Sequence, residues 1–101
     1  MECDFLCYLL VDAPSSTNLI TVPNNTILLR GSIISLGCST DANPDANIYH
    51  FFFNDHLIGN SISGVLNTTV MVDGVYTCSP ENTVGTGDNA TVSITVVGEL
   101  Q

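Results

Sequence analysis

The chain has 101 residues, of which ten are acidic and only Arg30 is basic, and its formal net charge at pH 7 is −9. So negative a surface argues against nucleic acid as a partner and against direct contact of this segment with an anionic membrane. The length suits one domain that buries roughly 60 to 65 per cent of its unfolded surface, and a core of that size gains from a covalent cross-link.

The first residues predict a segment that belongs to a preceding region. Glu2 and Asp4 stand where a signal peptide would carry positive charge, and no apolar run approaches the ~20 residues of a membrane-spanning helix. Ala13 to Ser16 has the proline and small polar residues of a linker. We therefore expect an N-terminal segment and linker at 1–17, one domain at 18–98 and a short tail at 99–101.

Apolar and polar residues alternate along most of the remaining chain, and this period of two predicts strands rather than helices. Pro23 confines the first strand to a sheet edge or ends it, because proline has no amide hydrogen to donate. Asn54 and Asp55 predict a tight hairpin turn. The predicted strands cover, in chain order, 19–23, 27–29, 32–38, 48–53, Leu57 with Ile58, Leu66 to Val70, the run carrying Tyr76 and Cys78, and 90–96, with a loop or weak edge strand at 59–64. Seven or eight such strands predict an all-β antiparallel sandwich.

Two of the four cysteines lie on predicted strands. Cys38 shares a strand face with Ile34 and Leu36, and Cys78 shares one with Tyr76, so both sulfurs should face the core. In a sandwich they would most simply meet across the two sheets. Cys3 and Cys7 could pair with each other, with a neighbouring segment or not at all, and four cysteines admit three pairings.

These features together resemble an immunoglobulin superfamily domain of the I-set or C2 type, over roughly 19–97. Cys38, Cys78 forty residues later and Tyr76 two residues before it are the strongest points of likeness. The stretches FFFNDHLI and CSPENTVG are similar to the family's segments around the hairpin turn and after the second cysteine. The resemblance implies an immunoglobulin-like Greek-key sandwich with a Cys38–Cys78 disulfide. It also implies a tyrosine corner, in which the Tyr76 hydroxyl bonds backbone near the preceding turn.

The chain departs from the family pattern at three places. Phe51 stands where the family's tryptophan packs on the disulfide. Val72 occupies the usual position of an aspartate, and Asp73 is shifted by one. The stretch between Leu66 and Cys78 is also shorter than usual. These departures concern the subtype of the domain more than its fold.

The candidate metal-binding and catalytic motifs are better explained as ordinary loop and turn residues. The loop 41–47 spells D-x-N-x-D-x-N, like the start of a calcium-binding loop, but Ala46 and Phe52 replace the glycine and glutamate that such a loop needs. His50 and His56 have no third ligand at metal-site spacing. No serine lies in a Gly-x-Ser-x-Gly elbow. We predict no metal, no cofactor and no enzyme, and keep calcium-dependent adhesion only as a third possibility.

Asn-x-Thr sequons occur at Asn24, Asn67 and Asn89. All three fall at predicted strand ends or outward positions, where a glycan could project into solvent. Together with the cysteine pair, they favour an oxidising, extracellular location at the cell surface. We predict glycosylation at these three asparagines.

The resemblance implies a non-catalytic recognition, receptor or adhesion module of a larger cell-surface or secreted protein. Its partners would be proteins, including other immunoglobulin-like domains. Candidate contact residues are His50, Phe52 and His56 on the predicted hairpin, because an exposed aromatic side chain favours an interface. The alternative is a structural spacer in a tandem array of such domains.

Overall fold

A computed structural model describes residues 12–98 of the chain, and these residues form eight strands. In the described part, no helix is long and apolar enough to cross a membrane. The strands are β1 (Asp12–Val22), β2 (Ile27–Leu29), β3 (Ser32–Asn43), β4 (Ile48–Phe53), β5 (His56–Ser61), β6 (Val65–Val70), β7 (Gly74–Glu81) and β8 (Ala90–Val97).

The strands form two sheets, one of three strands in the order β1-β3-β6 and one of five in the order β2-β8-β7-β4-β5. The short β2 runs parallel to β8, and the other pairs between named strands are antiparallel. The predicted all-β sandwich is confirmed. A constant-type immunoglobulin domain has four strands in one sheet and three in the other. Here β5 extends the larger sheet instead, which leaves β6 at the edge of the smaller one.

The core lies between the sheets and is centred on a disulfide. Cys38 of β3 and Cys78 of β7 are joined by a disulfide bond, with their Cα atoms 6.3 Å apart. Phe51 of β4 lies directly opposite Cys78 in the strand register and is 0% exposed. The other large buried side chains of this cluster are Leu28, Ile34, Leu36, Val70, Tyr76 and Ile94.

The first strand begins earlier than the sequence predicts. The stretch interpreted as a linker lies within β1, which pairs with an equally extended β3 as far as Asp12 and Asn43. The Thr40 hydroxyl donates to the carbonyl of Ser15 at 2.9 Å, and Pro14 is buried. Proline is tolerated because β1 is an edge strand, where a missing amide hydrogen costs no inner ladder bond. Residues 1–11, with Cys3 and Cys7, and the predicted tail 99–101 lie outside the described residues.

The β4–β5 hairpin turns as predicted and then contains a bulge. Asn54 and Asp55 both have positive φ, 48° and 71°, as a two-residue type I′ turn requires. The register shifts between Phe51, which faces Gly59, and Phe52, which faces Leu57. Ile58 is therefore the extra residue of a β-bulge. The sequence predicts either a loop or a weak edge strand at 59–64. Residues 59–61 belong to the edge strand β5.

Gly64 is required in the turn between β5 and β6. Its φ is +88°, and a Cβ atom placed on it would lie 2.5 Å from the carbonyl oxygen of Cys38. The Gly64 carbonyl in turn accepts the Cys38 amide at 2.7 Å. This close backbone approach fixes the start of β6 beside the strand that carries the first disulfide cysteine.

Candidate protein-binding face

The larger sheet presents an outward surface opposite the core. Because Phe51, Tyr76 and Cys78 point inward, their neighbours along each strand point outward. We call the outward side of β4, β5 and β7 the front face. It carries His50, Phe52, Leu57, Asn60, Val75 and Thr77.

An apolar cluster occupies the centre of the front face. Phe52 is half-buried rather than fully exposed as predicted, because Leu57 and Thr77 flank it on the two neighbouring strands. Leu57 is 58% exposed, and Val75, at a diagonal position, is also exposed. Diagonal neighbours on one face lie within about 8 Å of each other, so these side chains form one continuous patch.

His50 lies beside this patch and is held by two side chains. Its Nε2 atom is 3.0 Å from Oε1 of Glu81, and the amide nitrogen of Asn60 lies 3.5 Å from Nδ1. Since an amide nitrogen can only donate, Nδ1 is the accepting atom and Nε2–H donates to the carboxylate. The imidazole is thus oriented by groups on both neighbouring strands.

The structure brings together only two of the three predicted contact residues. His50 and Phe52 share the front face, whereas His56 is exposed at the hairpin end, opposite Phe53 in the register and so on the other face. Sequence reasoning missed Leu57, although its symmetric position across the two-residue turn predicts that it faces Phe52. It also missed Asn60, because without the bulge Gly59 would face His50.

The end of the sandwich that carries the β3–β4 and β7–β8 loops is acidic. The loops 44–47 and 82–89 meet there, and Asp41, Asp45 and Asp88 are exposed around them. Asn82 ties the two loops together, since its side-chain nitrogen donates to the carbonyl of Pro44 at 2.8 Å. No three His, Cys, Asp or Glu side chains within residues 12–98 are grouped so that they could hold a metal ion.

Tyr76 fills the core position that the resemblance implies, but its hydroxyl has a different environment. The side chain is 3% exposed and its ring centroid is 4.7 Å from that of Phe53. Within the described residues the hydroxyl makes no hydrogen bond, and no fully buried polar side-chain atom lacks a partner. The hydroxyl therefore reaches solvent. Tyr76 is also one of the residues that line a groove of about 230 Å³ between the sheet edges.

Other side chains hold the start of β7 in place of a tyrosine corner. Asn54 accepts the amide of Val75 through Oδ1 at 2.9 Å, and Asp73 accepts the amide of Val96 at 2.6 Å. Only residues 71–73 separate β6 from β7. In so short a connection no backbone group lies where the Tyr76 hydroxyl could bond to it. Asp73, one position later than the aspartate of the family pattern, bonds to β8 instead.

We expect Tyr76→Phe to lower the free energy of unfolding by less than about 1 kcal/mol at neutral pH, because it removes no protein hydrogen bond. A tyrosine corner would predict a loss of about 1 to 3 kcal/mol. Urea unfolding of both proteins distinguishes the two.

The same variant has a second signature at high pH. Burial raises the pKa of Tyr76 above its ordinary value of 10.0. Above pH 10 the unfolded chain therefore loses this proton while the native chain keeps it, so stability falls as pH rises. Tyr76→Phe should make that fall shallower, and parallel curves between pH 9 and 11 would contradict the assignment.

The three sequon asparagines are all exposed, and they lie at separate places. Asn24 is in the β1–β2 connection, and Asn89 immediately precedes β8. Asn67 lies in the middle of β6, on the outward side of the smaller sheet.

Comparisons with solved structures show the fold and several settings in which it occurs. The chain is similar to the full ectodomain (Ig1–Ig3) of mouse nectin-like molecule 4, with a TM-score of 0.66 and 18% identity over 88% of this chain and 32% of that one. It is also similar to the N-terminal four Ig domains of Dscam1 isoform 1.9, with a TM-score of 0.63 and 17% identity over 83% of this chain and 22% of the other.

A third similar structure belongs to a different kind of protein. The PKD domain of an M14-like peptidase from a Thermoplasmatales archaeon has a TM-score of 0.60 and 20% identity, over 85% of this chain and 97% of that domain. The chain thus spans about a third of the nectin-like ectodomain and about a fifth of the Dscam1 fragment. Identities this low establish the fold, and the fold alone does not assign a function.

The sequence itself decides the family. A comparison with curated proteins finds no matching sequence. The family model of the immunoglobulin domain, however, matches residues 17–96. This match covers most of the chain, and the strand topology agrees with it, so the chain belongs to the immunoglobulin domain family.

Proposed function

We propose that this chain is a non-catalytic recognition or adhesion module that binds another protein through the front face. The observation that carries the proposal is the apolar cluster of Phe52, Leu57 and Val75 on an open sheet surface. Aromatic and aliphatic side chains grouped beside polar groups are typical of the centre of a protein interface. His50, held by Glu81, supplies an oriented polar group next to this cluster.

An extracellular setting supports this function. A disulfide between the two sheets is stable in an oxidising compartment. Exposed sequons are accessible to the glycosylation machinery of the secretory pathway. Two of the similar structures are an ectodomain and a set of Ig domains from larger proteins. We infer that the chain acts at the cell surface or outside the cell, as part of a larger protein.

The experiment that tests this function displays the chain on cultured cells through an added membrane anchor. We expect the displaying cells to aggregate with one another or with unmodified cells, and Phe52→Ser with Leu57→Ser to abolish that aggregation. The matched control is Ile33→Ser, which replaces an even more exposed aliphatic side chain on the other sheet. Because Phe52 is only half-buried, purified Phe52→Ser should stay folded, and its melting temperature should fall much less than that of Phe51→Ala.

Two results would contradict the proposal. Aggregation that survives the front-face double variant would show that this surface is not the contact. A large loss of stability in Phe52→Ser would show that the ring belongs to the core. The alternative function, a structural spacer in a tandem array, rests on the similarity to single domains of multidomain chains. It predicts that no surface variant changes aggregation.

A further inference from the structure

The outward side of the smaller sheet, which we call the back face, is unusually apolar. Strand alternation places one set of side chains of β1, β3 and β6 away from the core. Four aliphatic residues in this set are between 52% and 70% exposed, namely Ile20, Val22, Ile33 and Val65. Within the described residues no other element covers them. An exposed apolar surface of this kind normally has an occupant.

The four side chains form one patch, and one asparagine lies beside it on the same face. In the β3–β6 register Asn67 faces Ser35, whose other neighbour across the sheet is Val22. Val65 is two residues from Asn67 along β6, roughly 7 Å away. Ile33 lies diagonally, within about 8 Å. Asn67 therefore lies on the back face at the edge of the aliphatic patch, next to Ser35 at its centre.

A glycine makes the surface between two of the aliphatic side chains shallow. Gly37 lies between Ile20 and Val65 in the register. A Cβ atom on this glycine would lie 3.3 Å from Cγ1 of Ile20, so Ile20 leans over the glycine backbone. The patch is consequently a shallow surface with no polar side chain in that row.

Asn67 is held with its reactive atom free. The Ser35 hydroxyl donates to Oδ1 of Asn67 at 2.6 Å. Within residues 12–98, Nδ2 of Asn67 has no hydrogen-bond partner. Nδ2 is the atom that carries the sugar in an N-linked glycan, and β6 is an edge strand that leaves it accessible. The Ser35 bond can persist after modification, because it uses only the amide oxygen.

We propose that Asn67 carries an N-linked glycan that packs on the back face and covers its aliphatic side chains, which leaves the front face for the protein partner. Sugar rings suit this role because their C–H faces are apolar and their hydroxyl rims are hydrated. The loop sequons at Asn24 and Asn89 have no comparable position within a sheet face. The inference rests on the proposed extracellular setting.

The modification is a substitution with no change in oxidation state. The donor is an oligosaccharide linked through its anomeric C1 to a lipid diphosphate. Nδ2 of Asn67 attacks C1, the C1–O bond to the diphosphate breaks, and the C1–N bond forms. The lipid diphosphate leaves with the electron pair, and one proton of the amide nitrogen passes to a base. The hydroxyl of Thr69 completes the acceptor sequence.

The test uses the full chain, secreted from cultured mammalian cells behind an added signal peptide. Thr69→Ala removes the sequon and keeps Asn67, whereas Thr69→Ser keeps the sequon and serves as the matched control. Peptide mapping by mass spectrometry reports the glycan at residue 67. Binding of anilinonaphthalene sulfonate and sedimentation velocity report the exposed apolar surface, before and after enzymatic deglycosylation of the folded protein.

We expect glycan on Asn67 in the native chain and in Thr69→Ser, and none in Thr69→Ala. Loss of the glycan, by mutation or by enzyme, should raise dye fluorescence and self-association, and Ile33→Ser should reverse both increases. Secreted, disulfide-linked protein with unmodified Asn67 would overturn the glycan proposal and leave the proposed function standing. So would a glycan whose removal changes neither readout. Retained protein with free thiols at Cys38 and Cys78 would overturn both proposals.

Discussion

Replacing Cys38 and Cys78 together by alanine is expected to lower the free energy of unfolding by about 4 kcal/mol. The bridge closes a loop with a sequence separation of 40 residues, and removing it releases the corresponding chain entropy in the unfolded state. A small domain has a net stability of about 5 to 15 kcal/mol, so the variant would lose between about a quarter and most of it. Urea unfolding followed by circular dichroism measures the difference.

Two further changes make this result specific to one bridge. Both the native and the variant protein should carry Cys3→Ala and Cys7→Ala, so that the core pair is the only one that can form. Intact-mass analysis then counts the thiols in the folded native form. Equal unfolding midpoints, or free thiols at residues 38 and 78 in folded protein, would refute the bridge and with it the case for an oxidising compartment.

Phe51→Ala is expected to cost about 3 to 5 kcal/mol, the range for truncating a large buried aromatic side chain. Phe51 is 0% exposed and lies opposite Cys78. Removal of the ring would therefore open a cavity beside the disulfide, and the surrounding sheet can close it only in part. Denaturant unfolding of the purified variant measures the loss.

Phe52→Ala is the matched control, since it removes the same ring one residue later on the same strand. Because Phe52 is half-buried on the front face, we expect its loss to cost well under half as much as that of Phe51. Similar costs at both positions would mean that the core does not lie on the Phe51 side of β4. A larger cost at Phe52 would reverse the assigned faces.

The features that follow from the alternation of side chains between the two faces of a strand were predictable from the sequence. Alternation alone placed Cys38, Phe51 and Tyr76 on inward faces, and the Asn54–Asp55 pair identified the hairpin turn. These signals are strong because a one-residue error would move every side chain of the strand to the other face. The same alternation placed His50 and Phe52 together on the candidate binding surface.

The features that depend on backbone pairing were not predictable. Residues 13–16 read as a linker because proline and serine favour loops, yet their backbone groups pair with the extended β3. The bulge at Ile58 has no sequence signature, and it decides that Asn60 rather than Gly59 faces His50. The hydroxyl environment of Tyr76 depends on the length of a connection that the family pattern makes longer. In each case a long-range geometry overrides the local preference.

The length of β1 has a mechanical consequence. β1 enters at one end of the sandwich with Asp12, and β8 leaves at the opposite end with Val97. Tension between these two points runs along the strands, so it loads the β1–β3 ladder in shear. Hydrogen bonds loaded in this way must break together, whereas a flexible linker would stretch first. The domain can therefore transmit a pulling force directly from one of these points to the other.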